Sequence, residues 1–241
     1  MNDWLIPDWP APAGVKACVT TREGGVSLAP FDSLNLGDHV DDHPEAVAEN
    51  RRRLTERFAM APAWLQQVHG VAVAHADPAV VATADASWSA TPGIACTVMT
   101  ADCLPALFCN RAGTRVGAAH AGWRGLAAGV LEATLDHLDV PASEVLVWLG
   151  PAIGPQRFEV GAEVREVFVA QLAEAEQAFV PSINAGRFMA DIYQLARLRL
   201  AARGVTAVYG GGYCTVSDPR FFSYRRSPRT GRFASLVWLE R

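Results

Sequence analysis

The chain has 241 residues, of which half are apolar and only 19% are charged. This composition supplies enough apolar sequence for a buried core and excludes an intrinsically disordered protein. The formal net charge is −4 at pH 7, so the chain lacks the strong basic bias typical of nucleic-acid-binding proteins, and we expect no nucleic-acid partner. A small anion bound by a local group of arginines is still compatible with this charge.

Runs of β-branched and apolar residues predict eight strands. They cover residues 15–21, 63–69, 94–100, 104–109, 115–120, 145–149, 205–209 and 233–239. The turn residues 110–113 separate two of these runs by a short loop, as in a β-hairpin. No repeat, low-complexity tract or linker interrupts the chain, so we expect a single domain over residues 1–241.

Four helices are predicted between the strands. Pro44 lies in the first turn of a helix that runs to about Phe58. Asp191 with Gln194 resembles a capping box, and Gly204 ends the helix that begins there. The other two helices cover residues 123–138 and 162–173. Hairpins mixed with helical connections favour an α/β fold with mixed sheets covered by helices.

The cysteines and the N-terminus indicate the compartment. The five cysteines form no Cys-x-x-Cys pair, which is typical of a reducing environment. Met1-Asn2-Asp3 carries an acidic residue where a secretory signal carries basic ones, and the most apolar stretch is too short to span a membrane. We expect a cytoplasmic protein with no membrane partner, in which Cys18, Cys96, Cys109 and Cys214 belong to the core.

Three residues at the ends of predicted strands are suited to bind a metal. His69, Cys103 and His120 each stand next to turn-forming residues. If their strands are neighbours, two imidazoles and one thiolate converge, which is a ligand set that zinc accepts with a fourth position open for water or substrate. The alternative is that the histidines are hydrogen-bonded turn residues and the cysteine is a small buried side chain.

Charged residues near these segments offer further chemistry. Arg22, Arg51, Arg124 and Arg225 are candidates for binding phosphate or carboxylate, or are solvated surface residues. Three acids are candidates for proton transfer: Asp85, Asp102 and Glu159. The structural alternative is a turn residue for Asp102 and a helix cap for Glu159. His39 and His43 are candidates for touching a substrate, but their polar surroundings favour no specific role. The sequence lacks the motifs of serine hydrolases, P-loop NTPases and dinucleotide-binding dehydrogenases.

Several segments resemble one known family. In chain order they are Asn35-Leu36-Gly37-Asp38-His39, Ala48-Glu49-Asn50-Arg51, Gln67-Val68-His69-Gly70, Ala101-Asp102-Cys103-Leu104-Pro105, His120-Ala121-Gly122-Trp123-Arg124-Gly125, Gly150-Pro151-Ala152-Ile153-Gly154, Phe222-Ser223-Tyr224-Arg225-Arg226 and Thr230-Gly231-Arg232. Together they resemble the laccase-domain family, also described as the polyphenol oxidase, peptidoglycan-editing-factor or multifunctional purine nucleoside phosphorylase family.

The resemblance implies a single-domain α-β-β-α sandwich and a catalytic Zn²⁺ held by His69, Cys103 and His120. It implies phosphorolysis of adenosine, inosine and methylthioadenosine, deamination of adenosine, and purine nucleosides with phosphate as partners, in a monomer or a homodimer. Asp102 and Cys103 are then the catalytic residues. The substrate and phosphate contacts are then Asn35, Arg51, Gln67, Arg124 and Arg225. The family commonly has Asn five residues after the Asp that begins the last helix, where this chain has Ala196; that position either touches substrate or only packs.

Other functions share the same residues. Copper oxidases with several copper centres need more histidines than the six present here, so we interpret oxidase activity as the result of Cu²⁺ replacing Zn²⁺. A peptidoglycan-precursor hydrolase that removes misincorporated serine is an alternative with the same zinc chemistry. A non-enzymatic zinc-stabilised binding module is a third, and it requires a closed coordination sphere.

Overall fold

The computed structural model describes residues 4–241, so Met1-Asn2-Asp3, on which the prediction about a secretory signal rests, lie outside the described part. Within that part the chain forms strands that we number in chain order. They are β1 (Val15–Val19), β2 (Ala61–Ala63), β3 (Leu65–Gln66), β4 (Val73–His75), β5 (Ala82–Thr83), β6 (Ala86–Ser89), β7 (Ile94–Thr100), β8 (Leu104–Asn110), β9 (Val116–Ala121), β10 (Val145–Leu149), β11 (Glu159–Gly161), β12 (Phe179–Pro181), β13 (Arg187–Ala190), β14 (Ala207–Gly210) and β15 (Phe233–Leu239).

Helices connect and cover these strands. They are α1 (Pro44–Phe58), α2 (Trp123–Ala128), α3 (Val130–Leu138), α4 (Ala162–Val169) and α5 (Ile192–Ala202), with short 3₁₀ helices at Ala142–Glu144 and Ala173–Ala178. Pro44 begins α1, as predicted. Asp191 caps α5, because its side chain accepts hydrogen bonds from the N–H groups of Tyr193 and Gln194, each at 3.0 Å.

Two mixed sheets carry most of the chain. One has the order β1-β15-β7-β2 and the other the order β14-β10-β8-β9-β6-β4. β8 and β9 form the predicted antiparallel hairpin, with Leu104 opposite Ala121. β7 leaves the first sheet and β8 enters the second after only residues 101–103. One edge of the molecule therefore holds the end of β7, the start of β8 and the end of β9.

The sheets form the inner layers of a four-layer α-β-β-α arrangement. Their facing sides share one buried cluster that includes Val98 and Phe233 from the first sheet and Leu107 and Trp148 from the second. The outer face of the second sheet packs against α2, α3, α4 and α5, and the outer face of the first packs against α1 through Leu54. The predicted mixed α/β architecture is confirmed.

Several predicted boundaries were wrong. The predicted helix over 123–138 is two helices, because Gly129 adopts a left-handed φ of 104° between α2 and α3. The predicted strand over 63–69 ends at Gln66, and the predicted helix over 162–173 ends at Val169. The small sheet β11-β13-β12 was not predicted.

Two side-chain predictions also need correction. Cys18, Cys96 and Cys109 are buried, whereas Cys214 is partly exposed outside the core. Glu159 does not cap a helix, because its carboxylate accepts hydrogen bonds from Ser182 Oγ and from Asn184 Nδ2, the latter at 2.7 Å. No helix among residues 4–241 is long and apolar enough to cross a membrane.

Candidate metal centre and its pocket

Three turns bring the predicted metal ligands together. His69 follows β3 with a left-handed φ of 61°, Cys103 stands in the connection between β7 and β8, and His120 lies near the end of β9. Their ligand atoms all lie within 4.8 Å of one another, and Cys103 Sγ is 3.8 Å from His69 Nε2. Tetrahedral zinc with ordinary bond lengths requires about 3.6 Å between such a sulfur and nitrogen. The donor set therefore fits a metal of this kind, and the predicted convergence is confirmed.

A buried carboxylate holds two of these ligands in place. Asp85, which lies directly before β6, has no exposed surface. Its Oδ1 accepts hydrogen bonds from His69 N–H at 2.9 Å and from His120 Nδ1 at 2.8 Å. Its Oδ2 accepts from the N–H groups of Val68 at 3.1 Å and Gly70 at 2.7 Å. Asp85 thus fixes the turn that carries His69 and leaves Nε2 of His120 free to face a metal.

Charge within the cluster favours a thiolate. Burial raises the pKa of the Cys103 thiol, but the positive charge and hydrogen bond of His120, with a further hydrogen bond from His69, outweigh it and lower the pKa to about 6. Burial lowers the pKa of His120, while Cys103 and Asp85 together raise it to about 9. Without a metal, these contacts favour the thiolate form of Cys103 beside a protonated His120. Metal binding here would require His120 Nε2 to be free of its proton.

The backbone of Gly122, in the His-Ala-Gly-Trp-Arg-Gly segment, passes close beside two of the candidate ligands. A Cβ atom at this position would lie 2.9 Å from His69 Cδ2 and 3.0 Å from Cys103 Sγ. Both distances are shorter than van der Waals contact, and both atoms belong to ligand side chains. Only glycine lets the backbone before α2 approach the centre this closely.

The centre opens into a pocket of about 480 Å³, within the usual range for small-molecule sites. Its wall combines apolar and aromatic side chains with cations. The lining residues other than the three ligands are His39, Gln67, Met99, Thr100, Ala101, Asp102, Trp123, Arg124, Ile153, Phe158, Ile192, Tyr224, Arg225 and Arg232. A larger open space, near Trp9 and Trp238, contains none of the metal-ligating residues.

Gln67 and Asp102 line this pocket, but protein partners already engage their polar atoms. Gln67 Nε2 donates to the carbonyl of Met99 and Gln67 Oε1 accepts from its N–H, both at 2.8 Å. Asp102 accepts from Thr215 Oγ1 and from the N–H of Arg225, both at 2.6 Å. These hydrogen bonds are those expected if Asp102 is a structural turn residue rather than a proton-transfer group. Its φ of 96° places it in a tight turn.

The predicted cations divide into two groups. Arg124 and Arg225 line the pocket, with Arg124 stacked on the neighbouring Trp123 ring at 4.4 Å. Arg22 pairs with Asp32 at 2.8 Å, and Arg51 pairs with Asp38 at 3.2 Å; neither lines the pocket. The structure does not bring Arg22 or Arg51 to the pocket wall.

Asn35 is also absent from the pocket wall. The residue is fully buried. Its side chain accepts hydrogen bonds from the N–H groups of Gly37 and Arg232 and donates to the Gly37 carbonyl and to Asp42. Its predicted contact with substrate stays a prediction, and every polar atom of its side chain is engaged by the protein.

Several residues of the pocket wall were not predicted from the sequence as site residues. Arg232, Trp123, Phe158 and Tyr224 were not singled out as site residues, although three of them stand in the segments that resemble the family. The available signal was position: Arg232 immediately precedes β15, at a strand end like the metal ligands. His39, which the sequence left without a specific role, does line the pocket.

The fold and site together define a class: an α-β-β-α protein with three side chains positioned to bind a metal at the base of an open pocket. Residues 16–240 match the family model described as multi-copper polyphenol oxidoreductase laccase, and the chain belongs to this family. The resemblance identified from the sequence motifs is confirmed.

Relatives of the chain are similar over their full length. A Pseudomonas aeruginosa protein named purine nucleoside phosphorylase PA4543 is 76% identical over 241 residues, with all of both chains covered. Escherichia coli YfiH, which carries the same enzyme name, is 55% identical, with 99% of this chain and 100% of the relative covered.

Solved structures agree with the fold. The crystal structure of Neisseria meningitidis protein NMB0706 has a TM-score of 0.96 at 52% identity, covering 99% of this chain and all of that one. The structure of YlmD from Geobacillus stearothermophilus has a TM-score of 0.90 at 32% identity, covering 99% of this chain and 96% of that one.

Proposed function

We propose that the protein is a zinc-dependent purine nucleoside phosphorylase. The observation that carries this proposal is one pocket that combines three metal donors, aromatic walls and cations that can hold phosphate. The names of the full-length relatives support it. In this proposal the enzyme acts as a single catalytic domain in the cytoplasm, where reducing conditions preserve the Cys103 thiol.

The reaction joins a phosphate oxygen to C1′ of the ribose and breaks the C1′–N9 bond of the nucleoside. The electron pair of that bond stays on the purine, which takes up a proton, and the products are the free base and ribose 1-phosphate. The apolar rings of Trp123, Phe158 and Tyr224 provide flat surfaces for a purine. Guanidinium groups in the wall neutralise the charge of phosphate.

The ligand set favours Zn²⁺ as the resident metal. Two imidazoles and a thiolate suit zinc and leave a position open, as in catalytic rather than structural sites. When bound, such a metal supplies Lewis-acid chemistry that makes water a better nucleophile at neutral pH. Cu²⁺ binds such ligands more tightly, so we interpret the oxidase name of the family as a property of copper-substituted protein.

The proposal includes two further activities in the same pocket. We include methylthioadenosine among the substrates, because phosphorolysis requires only the C1′–N9 bond that it shares with adenosine. We also include hydrolytic deamination of adenosine, in which water adds to C6 and ammonia leaves to give inosine. Deamination needs water and not phosphate, so the two reactions are separable by leaving phosphate out.

A single experiment tests the proposal. The metal content of the purified protein is measured, and adenosine and methylthioadenosine are incubated with it, with and without inorganic phosphate and before and after chelation. We expect close to one zinc per chain, free bases only when phosphate is present, and inosine without it. Nucleosides that stay intact with zinc bound would refute the purine activity, and the peptidoglycan precursor would then be the substrate to assay.

A further inference from the structure

One cation in the pocket wall is partly buried and forms no direct ion pair, although the charges of Cys103 and Asp102 act on it from a greater distance. Arg232 is half-buried, whereas Arg124 and Arg225 are exposed. Among residues 4–241 no carboxylate forms an ion pair with the Arg232 guanidinium. Its Nη1 donates only to the carbonyl groups of Thr230 at 2.9 Å and Gly231 at 3.0 Å. Burial lowers the pKa of Arg232, so its charge is costly there unless an anion compensates it.

The other arginines of the region are less suited to hold an anion in the pocket. Arg51 is already neutralised by Asp38, 3.2 Å away. The Arg225 guanidinium faces backbone carbonyls of Arg157 and Glu159 at 3.2–3.4 Å. Arg124 lies on the ring of its own neighbour and is exposed to solvent. Arg232 therefore combines access to the pocket and partial burial with a charge that no carboxylate contacts directly.

The Asn35 side chain hydrogen-bonds both the backbone of Arg232 and the neighbouring loop at Gly37. Its Oδ1 accepts from the N–H of Arg232 at 2.8 Å and from the N–H of Gly37 at 2.9 Å. Its Nδ2 donates to the Gly37 carbonyl at 3.0 Å and to Asp42 Oδ2 at 2.9 Å. A Cβ atom at Gly37 would lie 2.8 Å from Arg232 Cγ, so the loop packs directly on the arginine stem.

The same loop supplies a second polar group. His39 lines the pocket two residues beyond Gly37. Burial, together with the nearby charge of Arg232, lowers the pKa of His39. The lowered pKa favours the neutral imidazole, and Nδ1 lies 3.5 Å from Asp38 Oδ1, which leaves Nε2 to contact a ligand.

We propose that Arg232 binds the phosphate co-substrate, with His39 beside it, and that buried Asn35 is a positioning residue for both. This proposal rests on the proposed function for the identity of the anion. It explains why a residue in the segment resembling the family, Asn35, is buried outside the pocket: it acts on the ligand through the backbone of Arg232 and the loop of His39.

The test measures binding of inorganic phosphate to the metal-loaded protein by calorimetry, without any nucleoside. Arg232→Gln is expected to weaken phosphate binding by about 10-fold to 100-fold, and Arg232→Lys by less. The matched control is Arg229→Gln, an arginine three residues away that lies on Phe31 and does not line the pocket. Equal affinity in the wild type and Arg232→Gln, or no phosphate binding by the wild type, would overturn the proposal.

Kinetics separate this proposal from the proposed function. If nucleosides are cleaved, Arg232→Gln should raise KM for phosphate by about 10-fold or more and leave KM for adenosine within about threefold. A rise confined to the adenosine KM would overturn the role of Arg232. If phosphate binding depends on Arg232 but no nucleoside is cleaved, the anion site stands and the phosphorylase proposal fails.

The role of Asn35 is tested by a double-mutant cycle on phosphate affinity. Asn35→Ala should weaken phosphate binding with unchanged metal content, and it should cause a clearly smaller loss when added to Arg232→Gln than in the wild type, because only its effect through the His39 loop then remains. Additive losses would show an independent structural effect and overturn the positioning role. If Asn35→Ala does not fold, Gly37→Ala tests the placement of Arg232 by a different contact of the same loop, because its Cβ displaces the arginine stem.

Discussion

Replacing Asp85 with asparagine should damage the metal centre although the two side chains have nearly the same shape. The aspartate accepts four hydrogen bonds, two on each oxygen, from three backbone N–H groups and from His120 Nδ1. An amide has only one oxygen, and its nitrogen only donates. In either orientation of the substituted side chain, two N–H donors of the protein face the amide NH₂ group.

The Asp85→Asn substitution can also change which ring nitrogen of His120 carries the proton, and this change weakens metal binding. If the amide nitrogen faces His120, the imidazole can accept that hydrogen bond only by moving its own proton to Nε2. Nε2 is the nitrogen that faces the other ligands, and a protonated nitrogen cannot bind a metal. If the amide oxygen faces His120, the N–H groups of Val68 and Gly70 lose their acceptor instead.

The expected loss of stability follows from the number of N–H groups left without an acceptor. A fully buried N–H without an acceptor costs about 1–3 kcal/mol, and because these groups are only partly buried the variant should lose about 2–4 kcal/mol of the free energy of unfolding. Loss of a carboxylate behind a metal-binding histidine typically weakens metal binding by about 10-fold to 100-fold. Metal affinity is measured by competition with a chelator, and stability by urea unfolding of the metal-free protein.

The control is Asp136→Asn, which removes an exposed carboxylate paired with Arg203 at the surface and should change neither quantity appreciably. An Asp85→Asn protein with metal affinity within about threefold and stability within about 0.5 kcal/mol of the wild type would contradict this role of the carboxylate. Because the pKa of Asp85 is below its ordinary value, its contribution is complete at neutral pH and is lost as the pH falls toward and below about 4.

Three further predictions concern the ligands. Cys103→Ala should lose the metal and the phosphate-dependent release of bases while remaining folded by circular dichroism, whereas Cys214→Ala should keep both; an active Cys103→Ala protein would contradict the site. In metal-free protein, alkylation of Cys103 by iodoacetamide, followed by peptide mapping, should fall off below a midpoint near pH 6, because the thiolate is the reactive form; a midpoint near that of an ordinary thiol would contradict the stabilising role of His120. Gly122→Ala should reduce metal content about 10-fold or more, since its Cβ meets His69 and Cys103, and full zinc occupancy would show that the ligands can shift.

Features that depend on residues close together in the sequence could be predicted from it. The β8–β9 hairpin, the start of α1 at Pro44 and the cap at Asp191 all follow from residues a few positions apart. The three metal ligands were predicted because each stands beside turn residues at a strand end. The division between α2 and α3 was missed because glycine is tolerated inside helices, and only the structure shows the left-handed φ of Gly129.

The remaining features depend on contacts between distant parts of the chain. Asn35 and Arg232 are 197 residues apart in sequence and joined by one hydrogen bond. The role of Asp85 requires that the 68–70 turn wrap around a residue 15 to 17 positions later. The passage of the chain from the first sheet to the second between β7 and β8 has no signature beyond a three-residue turn. One sequence does not reveal these pairings.

The order of strands in the first sheet has a consequence for synthesis on the ribosome. β15, the last strand of the chain, lies between β1 and β7 and is hydrogen-bonded to both. Until β15 leaves the exit tunnel, β1 has no partner in that sheet and one edge of β7 is unpaired. A nascent chain therefore holds these two open strand edges until β15 emerges, and open edges invite wrong pairing and chaperone binding. A stop codon that removes β15 should yield aggregated protein.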